Sequence, residues 1–155
     1  MRNDFFEKMH ETEREYRDKE RAALEQRTRL LKGGKYNEGI SYMEKFKKEN
    51  PYPFSNGEAM ALQAYERMCK HDADHFEVEE LPISEYMEEF VRTLRNAGIS
   101  SIVVTDISFN LMDGIHALVG SGCTIGSPEI VNRKSTKYFK LNKPERRKGL
   151  EFQIW

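Results

Sequence analysis

Residues 86–125 read YMEEFVRTLRNAGISSIVVTDISFNLMDGIHALVGSGCTI, and their hydrophobic period changes twice. Tyr86, Met87, Phe90, Val91 and Leu94 recur at spacings of three and four, as one face of a helix does. Asn96-Ala97-Gly98 ends that helix, because Gly accepts the left-handed backbone that helix ends commonly need. Residues 99–105 are short, β-branched and apolar, and predict a buried strand. Asp106 and Ser108 can each offer an oxygen to the free N–H groups of a following helix. Leu111, Met112, Ile115, Leu118 and Val119 carry that helix inward, and Gly120 or Gly122 ends it. Helix, strand, helix and then more strand make a core-forming unit.

Upstream of it, residues 3–32 contain no Pro or Gly and predict one long helix that Gly33-Gly34 stops. Met9, Tyr16, Ala23 and Leu30 lie seven apart, with Phe5, Phe6, Leu24 and Leu31 widening the row at its ends. The companion heptad positions Glu13, Glu20 and Arg27 are charged, so a coiled coil is weakly supported. Residues 35–49 predict a second helix with Tyr36, Ile40, Met43 and Phe46 inward, broken by Pro51 and Pro53. Ser55 and Glu58 have the spacing of a capping box and start a third helix through Cys69. Two helices joined across a proline turn suggest a helical hairpin.

Residues 71–83 form an acidic connector in which Phe76 and Val78 suggest a short edge strand. Ser84 is the expected cap of the next helix. Beyond Gly122, strand-like stretches at 123–125, 129–133 and 135–141 are interrupted by Gly126 and Pro128, and residues 142–144 predict a turn. Leu150, Phe152 and Ile154 alternate with Glu151, Gln153 and Trp155 as a half-buried strand does. The fold class is α+β: a long N-terminal helix and helical hairpin, then a small mixed or antiparallel sheet with two packed helices. The expected division is a charged helix over 1–34 and one α+β domain over 35–155, with the hairpin at 35–70, the connector at 71–83 and the helix–strand–helix–sheet unit at 84–155.

Charged residues make up 33% of the chain and hydrophobic ones 38%, so at least one element is largely solvated. No run reaches the ~18 apolar residues of a membrane span. The N-terminal stretch is too polar for a signal peptide and too acidic for a transit peptide, which predicts a cytoplasmic protein without membrane contact. Cys69 and Cys123 form no disulfide framework and are expected to be buried thiols.

The net charge of −1 conceals segregation. Residues 71–91 hold eight acids and no Lys or Arg: Asp72, Asp74, Glu77, Glu79, Glu80, Glu85, Glu88 and Glu89. Residues 133–148 hold eight bases against Glu145: Arg133, Lys134, Lys137, Lys140, Lys143, Arg146, Arg147 and Lys148, with Tyr138 among them. Opposed patches would steer a charged partner, or bring copies together as a homodimer through unlike ends. The acidic run can imitate a phosphate backbone toward a protein with a positively charged channel; the plainer alternative is a solvated connector and outer helix face. The basic run, with aromatics for stacking, can bind nucleic acid; its plainer alternative is a solvated hairpin.

Three further constellations carry weaker chemistry. Cys69, His71 and His75 include zinc-ligand types, but no fourth ligand is specified. Asp106, His116 and Cys123 are the residue types of a thiol hydrolase, without any sign of an oxyanion hole. The glycines of 120–126 follow a helix, whereas a dinucleotide loop follows a strand. No catalytic residue, metal or cofactor is expected.

The passage 94–123 resembles a family of small uncharacterised accessory proteins of Firmicutes mobile elements. The likeness rests on Leu94, Ala97-Gly98-Ile99, Val104-Thr105-Asp106, Ser108, Leu111-Met112-Asp113-Gly114-Ile115-His116 and Gly122-Cys123. It covers about a third of the chain. It implies a setting among transfer factors and anti-CRISPR inhibitors, with no site residues to carry over. The expectation is a non-enzymatic, anti-CRISPR-like binding protein that occupies a basic nucleic-acid-binding surface of a Cas nuclease or its guide ribonucleoprotein. The alternative is a nucleic-acid-binding accessory protein using the basic run; a metal- or thiol-dependent enzyme ranks third.

Overall fold

The computed structural model describes residues 2–135 and 140–155, with the backbone alone at 140–142. In chain order the elements are α1 (Asp4–Lys32), α2 (Tyr36–Glu49), α3 (Asn56–His71), β1 (Glu77–Val78), α4 (Ser84–Asn96), β2 (Ser101–Val104), α5 (Leu111–Gly120), β3 (Thr124–Ser135) and β4 (Lys140–Gln153). The fold is α+β with a long N-terminal helix, as the sequence predicts. The chain divides into two compact units, one of Lys8–Pro53 and one that joins the residues up to Glu7 with Phe54–Trp155. The predicted boundary at 34/35 falls inside the first of these, and the predicted hairpin at 35–70 straddles its end.

In the larger unit, a mixed sheet runs β1-β2-β4-β3. β1 is parallel to β2, while β2–β4 and β4–β3 are antiparallel. α3 packs on α4, and α4 on α5. Phe6, Leu62, Phe90, Leu94, Ile102, Leu118, Phe152 and Ile154 are all at most 1% exposed and form the core. Each such side chain contributes ~1.5–3 kcal/mol by leaving water. The first turn of α1 belongs here. Phe6 stacks on Tyr65 at 4.8 Å, and the Asn3 side chain accepts from the Phe5 and Phe6 N–H groups, capping α1. The Tyr65 hydroxyl donates to Glu7; burial, foremost, pushes its pKa up to about 12.

Helix ends follow the local rules closely. Gly98 and Gly122 take positive φ just past α4 and α5, and the next N–H reaches back to Leu94 and Leu118. Both are glycine-terminated caps in which the left-handed residue turns the chain onto the last free carbonyls. At the end of α3 the same position is filled by Asp72, at φ 45°. The Ser55–Glu58 capping box is present on both sides. Ser84, by contrast, is the first residue of α4 rather than its cap, and Ile83 takes the cap position with no side-chain bond. Gly57 lets α3 lie against α4, since a Cβ there would stand 2.6 Å from the Tyr86 carbonyl oxygen.

Two strand expectations change and one holds. β3 runs unbroken over Thr124–Ser135, and Gly126 and Pro128 fall at a bulge rather than a break. Residues 142–144 are no turn: they lie inside β4, in an irregular stretch between the pairs Arg133–Glu145 and Ser135–Lys140. A proline needs no ladder hydrogen bond at such a place. The connector strand is confirmed as β1 at a sheet edge.

In the smaller unit, Pro51-Tyr52-Pro53 turns back on α1. The Tyr52 ring meets Tyr16 edge-on at 5.3 Å, and Arg17 stands 5.5 Å over it. Tyr36 and Ile40 are exposed, against expectation, because Gly39 is the α2 residue buried against Leu31. A side chain at 39 would collide with Leu31, so the helix is turned to present its smallest residue. Among the described residues, no helix is long and apolar enough to cross a membrane.

Candidate functional site

Residues 73–78 touch both edges of the sheet. Ala73 bridges to Arg133 of β3, while Glu77 and Val78 pair with Val103 and Val104 of β2. The acidic connector therefore lies against the basic run instead of standing apart from it. Glu77 is held by a two-point bond from Arg133, at 2.8 and 2.7 Å, and accepts the Thr105 hydroxyl at 2.6 Å. Glu79 lies 2.7 Å from both Arg133 and Arg147. The Arg133 and Glu77 side chains are only 5% and 3% exposed. Burial works to raise the Glu79 carboxyl pKa, but Arg133, Arg147 and Arg67 prevail and lower it. The Arg133 guanidinium is raised in turn: burial opposes this, and hydrogen bonds to Glu77 and Glu79 overcome it.

This clasp consumes part of the two predicted surfaces. Glu77 and Arg133 are interior and offer nothing to a partner; Glu79 and Arg147 are half-buried and face each other. Asp74 is bound to Asn132 by two hydrogen bonds and to His75. Burial alone would raise its pKa; these bonds lower it. Glu80 stands 3.8 Å from Arg67, and Glu88 pairs with Arg92 one helical turn away. Asp72 and Glu85 are exposed, and Glu89 is half-buried against α3. Of the basic residues, Lys134, Lys143, Arg146 and Lys148 are exposed. Lys137, Tyr138 and the Lys140 side chain lie outside the described residues.

A second feature was not anticipated. After β2 the chain turns at Asp106, whose carboxylate accepts from the Ser108 N–H at 2.7 Å and the Leu81 N–H at 3.1 Å. Burial opposes ionisation there, but those bonds hold the carboxyl below its usual range. Asp106 and Ser108 thus tie two loops together and do not cap α5, whose cap position is Asn110 with no side-chain bond. The turn pushes Ile107 and Phe109 into solvent as an apolar knuckle, at 91% and 96% exposure, with Met112 at 72%. α5 leans on the 80–83 segment through Gly114, where a Cβ would meet Leu81 at 2.7 Å. A recess of about 560 Å³ lies beside the knuckle, lined among others by Glu80, Ser84, Asp106, Asp113 and His116. Met112 and Val119, on the apolar stripe expected to carry α5, are exposed, because Gly114 and Leu118 are the buried side of that helix.

The constellations with catalytic or ligating residue types are not assembled. Cys69 is exposed, contrary to expectation, as it sits one position off the Tyr65–Met68 face of α3. His71 faces the Ser135 carbonyl and His75 faces Asp74. Among the described residues no three His, Cys, Asp or Glu side chains converge as metal ligands. Cys123 is buried, which pushes its thiol pKa up against the pull of Arg95. Asp106 and His116 share the recess, but Cys123 does not line it.

The signal that could have found the knuckle is the placement of Ile107 and Phe109 between polar residues, in the stretch where strand gives way to helix. Comparison with curated proteins and with solved structures finds no match. One family model, described as a domain of unknown function (DUF7698), matches residues 60–154. That span takes in the clasp, the knuckle and the whole sheet, and covers more than half of the sequence, so the chain belongs to the DUF7698 family.

Proposed function

We propose that this protein is a non-enzymatic binding protein that docks on a protein partner through Ile107, Phe109 and Met112 and the carboxylates beside them. The carrying observation is the exposure of these three large apolar side chains, with Ile107 sharing a shallow surface with Glu80 and Met112 one with Asp113. Apolar area left in water forgoes ~25 cal/mol per Å². An exposed aromatic residue with a neighbouring Met also has the composition of an interface core. A fitting partner presents an apolar pocket rimmed by Lys or Arg. A basic nucleic-acid groove has that charge, and the sequence resemblance suggests a Cas nuclease or its guide complex as its owner, in the cytoplasm.

The test is target cleavage by a panel of guide-loaded Cas nucleases with increasing amounts of this protein. Inhibition is expected for at least one nuclease, with at least tenfold loss of potency in Phe109→Ser and in Glu80→Lys/Asp113→Lys. No inhibition across the panel removes the inhibitor reading. Inhibition undisturbed by Phe109→Ser removes the knuckle.

A further inference from the structure

We infer that the outer face of the β3–β4 ribbon binds the phosphate backbone of duplex DNA, a contact separate from the protein-docking surface proposed above. Strand alternation places Arg146 and Lys148 on the side opposite Arg147. Their partners across the ribbon are Asn132 and Ile130, so these register positions carry no carboxylate. Lys134 and Lys143, nearer the ribbon end, are exposed as well. Of the acids that the sequence sets against this run, Glu77 and Glu79 take Arg133 and Arg147 on the inner side, and Asp74 is tied up by Asn132 at the margin of the outer face. What remains outside is a cationic face with no ion pair among the described residues.

The shape agrees. β2 pairs with β4 only from Leu150 onward, so among the described residues the stretch 145–149 of β4 is flanked by β3 alone. Residues 73 and 74 border β3 at Asn132 and Arg133, and the neighbouring stretch around Ile130 and Lys148 is a two-stranded ribbon narrow enough to enter the ~12 Å major groove of B-form DNA. Arg146 and Lys148 stand two strand steps apart, ~6.6–6.8 Å, and can reach successive phosphates. The deep, narrow major groove of double-stranded RNA would not admit the ribbon.

The experiment is fluorescence anisotropy of a labelled 20-base-pair duplex against the full chain, from 25 to 200 mM NaCl. With three to four cations engaged, affinity should fall by about two to three orders of magnitude over that range. Lys134→Gln/Arg146→Gln/Lys148→Gln should weaken binding at 25 mM at least tenfold and flatten the salt slope, with an unchanged thermal midpoint. Phe109→Ser should bind DNA as the wild type does, which separates this contact from the docking surface. The inference is overturned by absence of binding at 25 mM, by a triple variant that binds like the wild type, or by equal affinity for double-stranded RNA or phosphatidylserine vesicles.

Discussion

The clasp around Arg133 and the knuckle around Phe109 invert what their side chains would do alone. The clasp hides two guanidiniums and two carboxylates in whole or in part, and the knuckle leaves a phenyl ring and two aliphatic side chains in water. Each outcome follows from backbone placement. Residues 73–78 are pinned to both sheet edges, so their acids land on the bases of β3 and β4. Asp106 is pinned by the Leu81 and Ser108 N–H groups, so the residues after it are thrown outward. Charge segregation along a chain therefore says little about charge on the surface.

The largest effect expected from breaking this contrast is at Arg133. Arg133→Ala leaves Glu77 and Glu79 without their main partner and should cost ~3–5 kcal/mol in urea unfolding. Replacing Glu77 and Arg133 together by Met should recover most of that loss, since a well-packed apolar pair often equals a buried ion pair. A double variant as unstable as the single one would show that the clasp is more than a pair.

Acid should act in the same direction. Glu79, Asp74 and Asp106 are all held below their ordinary range. A carboxyl depressed in the folded state stabilises above its unfolded value, ~4, and loses that contribution as pH falls through the folded value. The thermal midpoint should be flat from pH 8 to 5 and drop below pH 4. Asp106→Asn should be less stable than the wild type at pH 7 and close the gap by pH 3, as read by circular dichroism.

Asp72 sharpens the comparison from the acidic side. It is exposed, and it occupies a left-handed position that suits glycine. Asp72→Gly should stabilise by ~0.4–1 kcal/mol in the same urea titration, the reverse of losing an acid from the clasp. The smallest effect is expected at the knuckle. Phe109→Ser should shift stability by no more than ~0.5 kcal/mol, whereas Phe90→Ala, in the core, should cost ~3–5 kcal/mol.

Periodicity made α3, α4 and the final strand legible, and glycine chemistry marked the ends of α4 and α5, because those signals are local. The same rules failed at α2 and α5. There Gly39 is the buried residue of α2 and Gly114 is buried with Leu118 in α5, and close approach to Leu31 or Leu81 outweighs much of the apolar stripe. Residues 142–144 resemble a turn because proline and asparagine favour one, yet pairing with β3 on either side, at Lys140 and from Glu145 onward, keeps them within β4. Of the candidate site, the acidic and basic residues could be named from sequence. Which of them neutralise each other could not, because Glu77 and Arg133 are 56 residues apart.

The sequence by itself determined the α+β class, the positions of the helices, most of the core of the larger unit and the existence of two oppositely charged runs. Only the tertiary structure decided that the runs meet and that Phe109 is left outside. The physical reason is that helix period, caps and β-propensity act within a few residues. Burial and ion pairing depend on which distant segments the sheet brings side by side.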